Sequence, residues 1–198
     1  MEVIVYKSLQ PLSYQQHETS CWVTSVMNGL LVLYKSKNKI PTLAYRLLHA
    51  VLTNDGVLSS GKHRDEWKIV MSAVGQVTDL DIAMHFGQDV EKAISNLQFN
   101  NQVAICDTES GVHSVLLSGR NGNTLEGFDP DWDNIVGGDE KPERYWTYPS
   151  GERGAQSWIN FRVEVEHFTS VTRGMSTALR MGPVSGRTLI VISRRKRQ

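Results

Sequence analysis

The chain has 198 residues, 40% of them hydrophobic and 21% charged, the balance of a soluble globular protein with material for one sizeable core. No stretch approaches the roughly 18 consecutive apolar residues of a membrane span, and the opening MEVIVYKSLQPLSYQQ has no basic region followed by an apolar core and a cleavage site. The net charge of zero hides an asymmetry: residues 168–198 carry seven Lys/Arg and no acid, which leaves 14 bases against 21 acids in the first 167.

In chain order, Glu2 to Leu9 alternates as a strand does, and Pro11 ends it. From Ser20 the apolar residues Trp22, Val23, Val26, Met27, Leu30, Leu31, Leu33 and Tyr34 recur at spacings of three and four, which predicts a core-facing helix. Thr19 or Ser20 suits its N-cap, and Lys35 and Lys37 suit its C-terminal end. A second helix is predicted from Pro41 through Ala44, Leu47, Leu48 and Val51 to the turn Asn54-Asp55-Gly56, a third over Arg64–Val74 and a fourth over Asp89–Leu97. After Phe99 the texture changes to short β-prone runs: Gln102–Asp107, Val112–Leu117, Thr124–Phe128, Tyr145–Tyr148 and Trp158–Val165. Arg120-Asn121-Gly122-Asn123 is a hairpin signal, because Asn-Gly supplies the positive φ angles of a tight turn.

The expected fold class is α+β, with N-terminal helices packed on an antiparallel β-sheet. The charge asymmetry divides the chain into a body, 1–167, and a basic C-terminal tail, 168–198, of which Leu189–Ile192 is apolar enough to dock as a short strand. The closing Arg194-Arg195-Lys196-Arg197 offers a contact for an acidic partner, while nothing in the body points to nucleic acid. Two cysteines, Cys21 and Cys106, form neither a disulfide framework nor a C-x-x-C pair. A reducing compartment follows, cytoplasmic, or export by a route that uses no signal peptide.

Cys21 opens the first helix, in Gln15-Gln16-His17-Glu18-Thr19-Ser20-Cys21-Trp22. The unpaired N–H groups and the dipole of a helix start favour an anion, which suits a nucleophilic thiolate. A thiolate that attacks a carbonyl needs a base and acid for the proton, a group that orients that imidazole, and donors for the oxyanion. Gln15, six residues ahead of Cys21, supplies a side-chain amide donor, and Gln16 is the weaker candidate. His113 lies on a short strand, on the face opposite Val112 and Ser114, and Asp129 follows at the end of the next strand in Leu125-Glu126-Gly127-Phe128-Asp129-Pro130. About the Asn121-Gly122 turn the two are equidistant to within one residue, which predicts cross-strand neighbours on one face. Taken singly, each residue also fits an ordinary place: a core cysteine, a satisfied sheet histidine, an Asp-Pro turn.

Together these residues resemble the papain-like cysteine peptidases, and within them the peptidases that process bacteriocin leaders and their free-standing relatives. The resemblance lies in a Gln six residues before a Cys at a helix start, a His opening a β-hairpin, and an Asp-Pro 16 residues after that His. Ser20-Cys21-Trp22 is also similar to the Ser-Cys-Trp of papain, whose His lies farther downstream and whose orienting residue is Asn. Covering residues 10–135, the resemblance implies a papain-like catalytic domain within 1–167 that acts on a protein or peptide substrate without cofactor or metal. It implies Cys21 as nucleophile, His113 as general base and acid, Asp129 as orienter and Gln15 as oxyanion donor. Trp22 stands where the leader peptidases usually carry Gly; it and Trp132 are the expected substrate-side contacts.

A peptidase, a protein glutamine deamidase, an amidase and a transacylase effector or toxin all fit this constellation, since they differ in the rim of the cleft rather than in the triad. A non-enzymatic reading also stands, as a degenerate papain-like binding module or a calcium-loop protein. For the latter, Asp129, Asp131, Asp133 and Glu140 occupy positions 1, 3, 5 and 12 of a calcium-loop pattern, with Asn134 where the sharp turn wants Gly. Cys106, in Val103-Ala104-Ile105-Cys106 and without a nearby base, is expected to be a core thiol. Trp146, Trp158, Tyr145 and Tyr148 line either a substrate groove or the sheet core.

Overall fold

The computed structural model describes residues 21–53, 64–108, 113–130, 159, 161–171 and 179–195. The strand expected over Glu2–Leu9, the caps Thr19 and Ser20, the Asn54-Asp55-Gly56 turn and the run Tyr145–Tyr148 lie outside the described residues.

Helix α1 (Cys21–Tyr34) forms where the three-and-four spacing predicts it, and every residue of it is buried, so it is enclosed on all sides rather than half-exposed. It ends at Lys35, whose φ of 58° is left-handed and whose N–H donates to the Leu31 carbonyl at 2.8 Å. Glycine is the usual residue for such a cap. Helices α2 (Thr42–Thr53) and α3 (Arg64–Gln76) cover α1, turning Ala44 and Leu48, and Trp67, Val70, Met71 and Val74, inward at helical spacing. Helix α4 (Asp89–Ser95) buries Val90 and Ile94, and Asp89 and Glu91 in its first turn complement the helix dipole.

Among the described residues six strands form one antiparallel sheet: β1 (Leu80–Phe86), β2 (Gln102–Thr108), β3 (His113–Asn121), β4 (Thr124–Phe128), β5 (Phe161–Glu164) and β6 (Thr188–Arg194), in the order β1-β6-β2-β3-β4-β5. A one-turn helix α5 (Val165–Phe168) follows β5, ending the run predicted as a strand to Val165. The pleat sends alternate residues into two cores. Val103, Ile105, Leu116, Phe128, Ile190 and Ile192 pack with α1, α2 and α3, while Ala104, Cys106, Val115, Leu117, Phe161 and Leu189 pack with α4 and α5. The fold is α+β. No helix among the described residues is long and apolar enough to cross a membrane.

The strand expected to dock at Leu189–Ile192 forms as β6, and since it pairs with β1 on one side and β2 on the other, the composition boundary at 167/168 is not a boundary of the fold. The charge of the segment misleads because, among its described bases, Arg187 and Arg194 serve the fold. Arg187 is 1% exposed and donates to the carbonyls of Gly182 and Thr169, and Arg194 closes β6 by donating to Asp79 at 2.8 Å. Strand β1 was not among the predicted strands, although Leu80, Ile82, Met84 and Phe86 alternate with Asp81, Ala83 and His85 as in a half-exposed strand.

Between β3 and β4 the ladder steps from Gly119↔Glu126 to Leu117↔Gly127, so Ser118 is an extra residue in β3, the signature of a bulge. Gly127 opposes it, and a Cβ there would lie 2.2 Å from the Leu116 carbonyl oxygen and 2.3 Å from Phe161 Cζ. Gly127→Ala is therefore expected to lower stability by about 3 kcal/mol through overpacking against backbone, read from urea unfolding. A loss below about 1 kcal/mol, typical of a position without such a contact, would contradict this close approach. Lys35→Gly is expected to act in the opposite direction, raising stability by about 1 kcal/mol by relieving the left-handed backbone.

Candidate active site

The site lies at one end of the sheet, where α1 and β3 begin and β4 ends. Cys21, Ser25 and Gly29 are four residues apart and share one face of α1. Along that face the Ser25 hydroxyl donates to the Ser114 carbonyl at 3.2 Å, and Gly29 lies so close to the sheet that a Cβ would come within 3.2 Å of Val103 and 3.3 Å of Leu116. A helix with large side chains on this stripe would stand farther from β3, taking Cys21 away from the strand that carries His113.

His113 is the first residue of β3, and Asp129 directly follows β4. His113 Nε2 and Asp129 Oδ1 are 2.8 Å apart, with the carboxylate fully buried and the imidazole 11% exposed. The bulge explains how they meet. Without it, the register nearest the turn, Asn121↔Thr124 to Gly119↔Glu126, would carry Asp129 level with Leu116, on the other side of the pleat from His113. With Leu116↔Phe128 instead, one further step brings Asp129 level with Val115, on the same side as His113 and diagonal to it. The two are therefore diagonal neighbours and not the directly opposed pair that counting from the turn suggests.

The Cys21 side chain is the other group that favours the charged form of His113, as a hydrogen-bonding and electrostatic neighbour. Burial disfavours the imidazolium, but Asp129, through its charge and its hydrogen bond, and Cys21, in the same two ways, outweigh it and raise the His113 pKa from 6.5 to about 11. The surroundings thus favour the imidazolium, and little water reaches the ring, 11% exposed, to screen these charges.

Of the predicted site residues, Cys21, His113 and Asp129 come together. Gln15, Gln16 and Trp132 lie outside the described residues, as do Asp131, Asp133, Asn134 and Glu140 of the calcium-loop pattern. Trp22 is corrected from substrate contact to core residue: it is 1% exposed and stacks on Trp67 of α3 at 4.7 Å between ring centroids. Successive helix residues point about 100° apart, so turning Cys21 toward β3 turns Trp22 toward α3. No group of three or more His, Cys, Asp or Glu among the described residues is arranged to hold a metal ion.

Sequence reasoning passed over Ser25, Asp107 and Ser114, all buried beside the triad. The Ser114 hydroxyl donates to Asp107 Oδ1 at 2.7 Å. The available signal was a polar residue inside an apolar run, Asp107 after Val103–Cys106 and Ser25 within α1, because a polar group buried there needs a partner. Cys106 is fully buried in the second core, where burial foremost, and then Asp107, push its thiol well above its ordinary value.

Comparison with family models, with curated proteins and with solved structures finds no match for this chain.

The shift on His113 makes stability depend on pH. Folding raises the pKa of this group from 6.5 to about 11, so its contribution is complete below the lower value and is lost as pH rises through the upper one. Asp129→Asn removes the charge that chiefly sustains the imidazolium. The stability difference between wild type and Asp129→Asn, from urea unfolding, is expected to shrink steadily from pH 7 to pH 10. A difference constant over that window would contradict the pairing.

Proposed function

We propose that the chain is a thiol hydrolase of papain-like fold that cleaves a peptide or amide bond of a protein or peptide substrate through Cys21, His113 and Asp129. The observation that carries this reading is the His113 ring held between the Asp129 carboxylate, at 2.8 Å, and the Cys21 sulfur. A sheet histidine with a merely structural role has no need of a thiol at a helix start beside it.

The chemistry follows from the arrangement. With the thiol proton held on His113, the Cys21 sulfur bonds to the substrate carbonyl carbon, and the carbonyl π electrons move to oxygen. The oxyanion faces the start of α1, where backbone N–H groups lack helical partners; the Gln15 amide is the second proposed donor. As the oxyanion collapses, His113 gives its proton to the departing nitrogen, the C–N bond breaks and a thioester remains. Water then attacks that carbonyl, His113 takes its proton, and the C–S bond breaks to release a carboxylate and restore the sulfur–imidazolium pair. Asp129 keeps the ring oriented and stabilises its charge in both halves.

A glutamine deamidase uses the same steps with ammonia as the leaving group, and a transacylase replaces water with another amine. Products distinguish them: new peptide termini for a peptidase, ammonia without chain cleavage for a deamidase, a new amide for a transacylase. Activation of the thiol is tested first, by iodoacetamide alkylation followed across pH by mass spectrometry, with Cys106 as internal control. Cys21 is expected to react at pH 6 at least about tenfold faster than a free thiol of pKa about 8.5, with the advantage lost in His113→Ala while Cys106 stays inert. A Cys21 that reacts as an ordinary thiol sinks the proposal.

A further inference from the structure

Helix α1 runs in the same sense as β3, and its facing stripe meets the strand in order: Cys21 at His113, Ser25 at Ser114, Gly29 at Leu116. The Gly29 contact is van der Waals and sets how close the helix lies, with little preference for where it sits along its own axis. The sulfur–imidazole hydrogen bond depends steeply on that position, because such bonds weaken quickly with distance and angle. Something directional is needed to hold the helix in register with the strand.

Ser25 meets this need. It is one helical turn, about 6 Å, from Cys21, and its acceptor on Ser114 is one residue, about 3.3 Å, from His113. Its hydroxyl is fully buried and donates to the Ser114 carbonyl at 3.2 Å. The strand side is anchored in turn. The Ser114 hydroxyl donates to the buried carboxylate of Asp107 on β2 at 2.7 Å, and Thr108, also on β2, donates from Oγ1 to the His113 carbonyl at 3.4 Å. A hydrogen bond to a carboxylate is stronger than one between neutral groups, so Ser114 is a firm post for the helix to be tied to.

We propose that Ser25 is a positioning residue for the Cys21–His113 pair, setting the register of α1 on β3 through Ser114, which Asp107 holds in place. This rests on the thiol hydrolase reading of the site. Ser25 touches neither substrate nor reacting atoms. Its effect is on the alignment of sulfur and imidazole, and so on the reactivity of one and the titration of the other, with Asp129 and Cys21 as the charged groups that face the ring.

Two readouts separate alignment from simple stability: the pH profile of Cys21 alkylation by iodoacetamide, and the NMR titration of the His113 ring. Ser25→Ala is expected to slow Cys21 alkylation at pH 6 about tenfold, the order of loss that a sub-ångström misplacement produces, and to move the His113 midpoint down toward 6.5. Val163→Ala, in the opposite core, serves as a control that destabilises without touching the stripe and is expected to move neither. Ser114→Ala removes the tie to Asp107 but keeps the carbonyl, and should shift both readouts in the same direction by less; it also decides the matter if Ser25→Ala fails to fold. A fast wild-type Cys21 whose profile is unchanged in these variants overturns the positioning role alone. A wild-type Cys21 that reacts as an ordinary thiol overturns the hydrolase reading and the positioning role with it.

Discussion

The close approach of α1 to β2 and β3 is the contact on which the rest of the structure depends. It is made by a stripe of small side chains, Cys21, Ser25 and Gly29, at the one place where a helix enclosed on every side must lie directly on the sheet. Large residues occupy its other faces: Trp22 stacks on Trp67, and Leu30 and Leu31 complete the core beneath α2 and α3. Small residues toward the sheet and large ones away from it let one helix fill a core and still bring its first residue to the end of a strand. Its far end is tied down as well: the Tyr34 hydroxyl and Arg194 both bond Asp79, and the guanidinium lies 4.8 Å from the centroid of the Tyr34 ring.

The second constraint is the bulge at Ser118. A regular hairpin would put Asp129 and His113 on opposite sides of the pleat, and one extra residue in β3 restores the parity. The bulge depends on Gly127, the residue that allows β4 to reach the Leu116 carbonyl. Two glycines thus serve the site from a distance: Gly127, where a Cβ would run into the Leu116 carbonyl, for the aspartate, and Gly29, where a Cβ would press on Val103 and Leu116, for the cysteine. The electrostatics build on that geometry. A buried imidazole would ordinarily be neutral, and here the fully buried carboxylate and the adjacent sulfur reverse the balance.

The last described strand shows how far charge counting can mislead. Residues 168–198 are uniformly basic in charge, yet within them Thr188, Leu189, Ile190 and Ile192 are buried at the centre of the sheet, and Arg187 is among the most deeply buried side chains of the protein. Without β6 the strands β1 and β2 would have no common neighbour. The charge at the end of the chain and the apolar strand before it are separate features that a composition window merges.

Local spacing determined what is local. Helices α1 to α4 follow from the recurrence of apolar residues every three or four positions, the β3–β4 hairpin from the Asn-Gly signal, although the turn itself is Gly122-Asn123 and of the two only Gly122 has a positive φ, and the nearness of His113 to Asp129 from their placement about that turn. Each of these signals spans fewer than about 20 residues, a range over which backbone geometry fixes which side chains share a face. What only the tertiary structure decided involves partners far apart in the chain: β6 between β1 and β2, Trp22 turned to Trp67, Ser25 bonded to Ser114, and Asp107 bonded to Ser114 across strands. The physical reason is that burial and hydrogen-bond satisfaction are settled by the whole packed set of elements. A segment's own pattern states that it has an apolar face or a polar group in need of a partner, and the neighbours that meet those needs are chosen by the fold.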